Sequence, residues 1–165
     1  MEPIIGIDPS SKKLAFCVTS YNGQLMLHKK SLPEGVLHAT GAAFEEAFLF
    51  FKTFPHAKVF MEAPLVGRNA YSTIVQAQVG GAVLAAASKV GLDVELVNVS
   101  SWKKQVIGNG RAQKPDIAEW LKQNWTEAYN QASGDQDLLD AAAINRYGYQ
   151  HVRLTQAILR KAKRA

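Results

Sequence analysis

Two short apolar runs that each stop at a carboxylate set the tightest limit on what this chain can fold into. Ile4, Ile5, Gly6 and Ile7 lead into Asp8 and Pro9, and Val59, Phe60 and Met61 lead into Glu62. A short run that is apolar at every position, not at alternate ones, reads as a strand covered on both faces, as central parallel strands are. An acid then stands at the C-terminal end of each strand. Parallel central strands would bring both acids to the same edge of a sheet.

The remaining pattern builds an α/β domain around those strands. After a loop at Ser10 to Lys13, a second apolar run reaches Ser20, and Asn22 with Gly23 marks a hairpin turn before Leu25, Met26 and Leu27, which predicts a three-strand meander. Leu37, Phe44, Ala47, Phe48 and Phe51 recur at helical spacing up to the limit set by Pro55. The segment Ala70 to Val90 is long and Ala-rich. It carries Gly80 and Gly81, and each helical Gly costs roughly 1 kcal/mol relative to Ala, so close packing against the sheet or a second subunit is expected. Val94 to Val99 reads as a strand, Pro115 to Trp125 as a helix, and Asp137 to Tyr149 as a helix with Leu138, Ala141, Ala142 and Tyr149 on related faces. A basic C-terminal stretch closes the chain with Arg160, Lys161, Lys163 and Arg164. Strands followed by alternating helices and strands indicate a mixed sheet, and 165 residues, 47% of them apolar, suit one domain over 1–165.

Charge and composition narrow the function. Nineteen Lys and Arg against fourteen Asp and Glu give a formal charge of +5, which favours polyanions, nucleic acid first, although a small basic domain also stays soluble this way. The single cysteine, Cys17, sits in the run Leu14 to Val18 and reads as core, so neither a disulfide framework nor a thiolate metal cluster can form within one chain. Nothing resembles a signal sequence, and no apolar run reaches the ~18 residues of a membrane span. A cytoplasmic protein, in a bacterial cell or a phage-infected host, is the expectation.

The chemistry-bearing residues are acids. Hard cations such as Mg²⁺ prefer oxygen ligands, so a catalytic site for them needs several carboxylates converging on one place. Asp137 and Asp140 are three apart and share one helical face. With Asp8 and Glu62 they could converge on a metal pair, and paired metals about 3.5 to 4 Å apart assist in-line phosphodiester displacement. Each acid also has a plain structural reading. Asp8 before Pro9 and Ser10 could initiate a turn, Glu62 could pair with Arg68, and Asp137 with Asp140 could be favourable charges in a helix's first turn. Asp135, two residues from Asp137, should face elsewhere and cap the helix. Trp120 and Trp125 read as core, whereas Trp102 is open.

Four blocks carry a resemblance: IIGIDPSSKKLAFCV at Ile4 to Val18, MEAPLVGRNAYS at Met61 to Ser72, WKKQVIGNGRAQK at Trp102 to Lys114, and DQDLLDAAAIN from Asp135. In order and spacing the chain resembles RuvC-type Holliday junction resolvases of the RNase H-like nuclease superfamily, bacterial or phage. Actin-like and Hsp70-like ATPases also open on a strand with a similar Asp, but they need two large lobes, for which this chain is too short.

The resemblance implies an RNase H-like mixed five-stranded sheet flanked by helices. It implies Asp8, Glu62, Asp137 and Asp140 as ligands of Mg²⁺ or Mn²⁺, two ions per site, with Lys103 and Lys114 near the scissile phosphate of branched DNA. Metal-activated water would leave a 5′-phosphate and a 3′-hydroxyl, and a homodimer built on the Ala70 to Val90 helix would nick a four-way junction twice. Lys103, Lys104, Asn109, Arg111 and Lys114 would contact DNA, as would Leu65, Arg68, Asn69 and Tyr71. A Lys can offset charge on a phosphate oxygen, but Lys103 and Lys104 also fit plain solvated charges, Gly108, Asn109 and Gly110 a plain turn, and Arg68, Asn69 and Tyr71 a core or helix-capping role. Many members carry an aromatic residue after the catalytic Glu, whereas Ala63, Pro64 and Leu65 follow here. Leu65 is the available apolar wedge. That departure keeps two other readings open: a broader nuclease of flaps, forks or single strands, and a non-catalytic module that binds branched nucleic acid through Lys103, Lys104, Lys114 and the basic tail.

Overall fold

A computed structural model describes residues 2–65 and 69–162. Strands β1 (Ile4–Pro9), β2 (Lys13–Thr19) and β3 (Leu25–Ser31) form the meander, and helix α1 (Val36–Thr53) leads to β4 (Lys58–Glu62). Helix α2 (Ala70–Lys89) leads to β5 (Val94–Val97), followed by α3 (Val99–Ile107), α4 (Lys114–Asn124), α5 (Thr126–Ala132) and α6 (Gln136–Ala162). The five strands form one sheet in the order β3-β2-β1-β4-β5. β1 pairs antiparallel with β2 and parallel with β4, and β4 pairs parallel with β5, so the expected mixed five-stranded sheet is observed.

Alternation along the strands sorts side chains onto two cores. Ile5 and Ile7 of β1, Leu14, Phe16 and Val18 of β2, and Val59 and Met61 of β4 face α1 and α2. Ile4, Ala15, Cys17 and Phe60 face the other way, onto Trp102, Ile117, Leu121 and the alanine run Ala141 to Ala143 of α6. Each fully buried Ile or Phe contributes about 1.5–3 kcal/mol by leaving water. Cys17 is buried and free, and burial pushes its thiol up, as a core residue requires.

The face toward α6 is lined by small residues for a reason. Gly6 lies under α6, where a Cβ would collide with the Asn145 backbone nitrogen and the Ala141 carbonyl and stand 2.8 Å from the Asn145 Cα. Gly148 makes the same allowance one turn on, for the ring of Phe60. Helix α6 therefore rests almost on the backbone of β1. Asn145, fully buried, fastens it there by donating through Nδ2 to the carbonyls of Ile4 at 2.7 Å and Cys17 at 3.1 Å.

Several elements differ from their sequence-based outlines. The strand expected over Val94 to Val99 stops at Val97, because the Asn98 side chain accepts from the Ser100 amide at 2.9 Å and starts α3, a helix not foreseen. The helix expected over Pro115 to Trp125 ends at Asn124, and Trp125 bridges to the short helix α5. The helix from Asp137 runs on without a break through the C-terminal stretch to Ala162. In α2, Gly80 allows the ordinary approach of Met61 Cε, at 3.8 Å from where a Cβ would stand, whereas Gly81 faces open space.

Candidate active site

β1 and β4 run parallel with Ile7 opposite Met61, so the next position on each strand holds Asp8 and Glu62. Neighbouring strands lie about 4.8 Å apart, and alternation turns both acids toward α6. The close seating of α6 over Gly6 carries Asp140 to the same place, one residue before the Ala141 carbonyl that covers Gly6. Three elements thus deliver carboxylates to one sheet edge.

Burial raises the proton affinity of three of the acids, and neighbouring carboxylates add to it. Asp8 is held well above the usual carboxylate range, first by burial, then by the charges of Glu62, Asp140 and Asp137, with Lys114 opposing. Glu62 is raised by burial and by Asp140, against the hydrogen bond from Trp102 and the charge of Lys103. Asp140 is pushed up to about 6 by burial, against a hydrogen bond from Gln136 and the charges of Lys103 and Lys114. Burial is the largest cause at all three acids, and the donors are all hard oxygens. That combination suits a hard divalent cation.

The ligand atoms are not drawn into a closed cage. Among the described residues, no three His, Cys, Asp or Glu side chains stand together at metal-holding distance. Lys13 Nζ lies 3.2 Å from Asp137 Oδ2, and Lys29 Nζ lies 3.8 Å from the same oxygen. Gln136 Nε2 donates to Asp140 at 2.8 Å. Asp135 pairs with Lys29 and accepts from the Leu138 amide at 3.2 Å, which caps α6 as expected and leaves it out of the acid group.

Trp102 was open in the sequence and proves to be part of this edge. It is fully buried, and its indole N–H donates to Glu62 Oε2 at 2.9 Å. Trp120 and Trp125 pack partly buried against the same core, as expected of them. Lys103 is partly buried and not a solvated surface charge: its ammonium donates to the Ala112 carbonyl at 2.8 Å and lies over the Trp102 ring. Lys114 is the exposed first residue of α4, and its charge reaches Asp8 and Asp140.

Lys104, Asn109 and Arg111 line an open depression of 470 Å³ with Ser100, Ser101, Gly108 and Gly110. Gly108 ends α3 with φ 89°, and the Asn109 side chain accepts from the Arg111 amide at 3.0 Å, so the turn is built by its own residues. Leu65 is exposed, as is Tyr71, which lines a 510 Å³ depression with Ser11, Lys12 and Ser72. Asn69 caps α2 by accepting from the Ser72 amide at 3.1 Å. Arg68, and with it the pairing considered for Glu62, lies outside the described residues. Lys13, Lys29 and Asn145 were missed in sequence, and Trp102 was left open there. Only Asn145 had a legible signal, as a polar residue ending an apolar run, where a buried amide must find partners.

Comparison with known proteins agrees with this layout. The family model for crossover junction endodeoxyribonuclease RuvC matches residues 4–145. The chain is 30% identical over 129 residues to the RuvC of Citrifermentans bemidjiense, covering 72% of this chain and 76% of that one. It is 33% identical over 127 residues to the RuvC of Chlorobaculum parvum, covering 72% and 66%. In fold it matches T. thermophilus RuvC, solved in complex with a Holliday junction substrate, with a TM-score of 0.78 at 22% identity over 94% of this chain and 97% of that one. With its matched segment running from the first residue of β1 to the asparagine that docks α6, the chain belongs to the RuvC family of crossover junction endodeoxyribonucleases.

Proposed function

We propose that this chain is a divalent-metal-dependent, structure-selective endonuclease that resolves four-way DNA junctions, leaving 5′-phosphate and 3′-hydroxyl ends. The observation that carries the reading is the convergence of Asp8, Glu62 and Asp140 from three elements, each with its proton affinity raised first by burial and then by a neighbouring carboxylate. Such a group costs stability unless a cation or protons neutralise it, and a site that persists in this state is explained by what it binds. Asp8, Glu62, Asp137 and Asp140 would hold Mg²⁺ or Mn²⁺, two ions per site. Bound there, the ions supply a nucleophilic water at neutral pH and charge stabilisation at the leaving oxygen.

The protein's own groups hold and balance this centre. Trp102 keeps one oxygen of Glu62 fixed and favours its ionised form. Gln136 does the same for Asp140. Lys103 and Lys114 offset negative charge where a phosphate would enter, which is worth most when charge builds on the phosphoryl oxygens. Leu65 and Tyr71, both exposed, are available to the bases of an opened junction, and Lys104, Asn109 and Arg111 to its backbone. The outer side of α2 exposes Ile74, Ala77, Gly81 and Ala85 at helical spacing, which supports a homodimer on this helix.

The chain fits one nuclease domain over 1–165. No helix among the described residues is long and apolar enough to cross a membrane.

The test is a panel of four-way junction, fork, flap and linear duplex, incubated with Mg²⁺ or EDTA, with the product ends mapped. Paired nicks confined to the junction and dependent on Mg²⁺ are expected. Equal cutting of junction and linear duplex would sink the selectivity. Faster cutting of flaps, the second reading kept open by Leu65, would move the substrate and leave the chemistry.

A further inference from the structure

Beyond Asp140, the chain contains no acidic residue, while Arg146, Arg153, Arg160 and Lys161 follow within the described part of α6. Arg146, Arg153 and Arg160 are each seven residues apart, close to two helical turns, so they lie on one face over about 21 Å. Tyr149 sits between the first two, with guanidinium carbons 5.1 Å and 5.6 Å from its ring centre. Among the described residues, no carboxylate pairs with any of these four cations. From Arg153 onward the helix is exposed on all sides, and the family match ends before this stretch begins.

We propose that the face Arg153, Arg160 and Lys161 is an exosite for the phosphate backbone of a duplex DNA arm, remote from the acids that would cut. The complement is electrostatic: a run of unneutralised cations, uninterrupted by acids, suits a continuous polyanion better than a point ligand. Arg side chains add a planar fork that matches phosphate oxygens. Arg160 lies twenty residues along a continuous helix from Asp140, about 30 Å away. A duplex touching both must therefore extend at least about nine base pairs at 3.4 Å each. The contact makes affinity depend on arm length. It rests on the reading of DNA as the partner.

The test compares the full chain with the double variant Arg160→Gln and Lys161→Gln, which keeps helix-forming residues on an exposed surface. Both bind junctions in EDTA across a salt series, once with arms of about 20 base pairs and once with hairpin-capped arms of about 6. On long arms, losing two phosphate contacts lowers the slope of log affinity against log salt by about 2, so the wild-type advantage shrinks roughly tenfold between 50 and 200 mM salt. On short arms, the two proteins bind alike. Equal slopes on long arms would overturn the exosite, as would equal losses on both arm lengths. Loss of binding to anionic phosphatidylserine vesicles with DNA slopes unchanged would overturn it as well, and assign the helix, with its exposed Leu154, Ile158 and Leu159, to a lipid surface. Mg²⁺-dependent cutting by the wild type is scored separately, so failure of the nuclease reading and failure of the exosite are distinguishable.

Discussion

The indole N–H of Trp102 donates to Glu62 Oε2 at 2.9 Å, joining the start of α3 to the end of β4 across 40 positions of sequence. The indole is fully buried, so this hydrogen bond both satisfies its only polar atom and fixes a carboxylate at the sheet edge.

Trp102→Phe keeps the apolar ring and removes the donor. A hydrogen bond to a charged group contributes about 1.5–3 kcal/mol, so the proton affinity of Glu62 should rise and cutting should fall by about tenfold or more. The signature is a pH–rate profile whose acid limb moves to higher pH while the far-UV spectrum is unchanged. An unaltered profile would show that the indole has no part in setting Glu62.

Burial pushes Asp140 up to about 6, and burial with neighbouring acids pushes Asp8 up as well. In the metal-free protein the folded state therefore holds protons that the unfolded chain has released between about pH 4 and 6, and stability falls as pH rises through that window. Asp140→Asn should stabilise the metal-free protein at neutral pH, by at most about 3 kcal/mol for a shift of this size. Divalent ions, which bind the deprotonated acids, should reverse the trend, with Mn²⁺ affinity rising between pH 5 and 7. Thermal melts with and without Mn²⁺ across that range check both signs.

The seating of α6 over Gly6 determines where Asp140 stands. Gly6→Ala places a Cβ into the α6 backbone, where no side chain can give way, and should cost about 3 kcal/mol or more. Asn145→Ala removes two buried hydrogen bonds, to the carbonyls of Ile4 and Cys17, and at about 1 kcal/mol each should cost about 2 kcal/mol. Chemical denaturation measures both. A Gly6→Ala protein of unchanged stability would mean that α6 does not lie on β1 as described.

What the sequence made legible, and what it did not, follows the range of the interactions. Asp8 and Glu62 could be placed because an apolar run and the acid that ends it are adjacent in the chain. Asp137 and Asp140 could be placed because helical spacing is local. Trp102 could not, because its partner lies on another element and only the fold brings them together. Lys13 and Lys29 escaped for the same reason: they reach Asp137 only through strand register and the docking of α6. Helix α3 was missed although its capping Asn98 was visible, since Val94 to Val99 also suits a strand. Helix α5, at seven residues, is too short to show a period.

The most direct test of the central claim sets Asp8→Asn and Glu62→Gln beside the wild type on a synthetic four-way junction. Junction binding in EDTA and Mg²⁺-dependent cutting are measured on the same preparations. The carboxylate site predicts that both variants bind the junction at least as tightly as the wild type, because a negative charge facing phosphate has been removed, and that both lose cutting by at least about a thousandfold, or ~4 kcal/mol. Wild-type cutting by both variants, with binding intact, would contradict it.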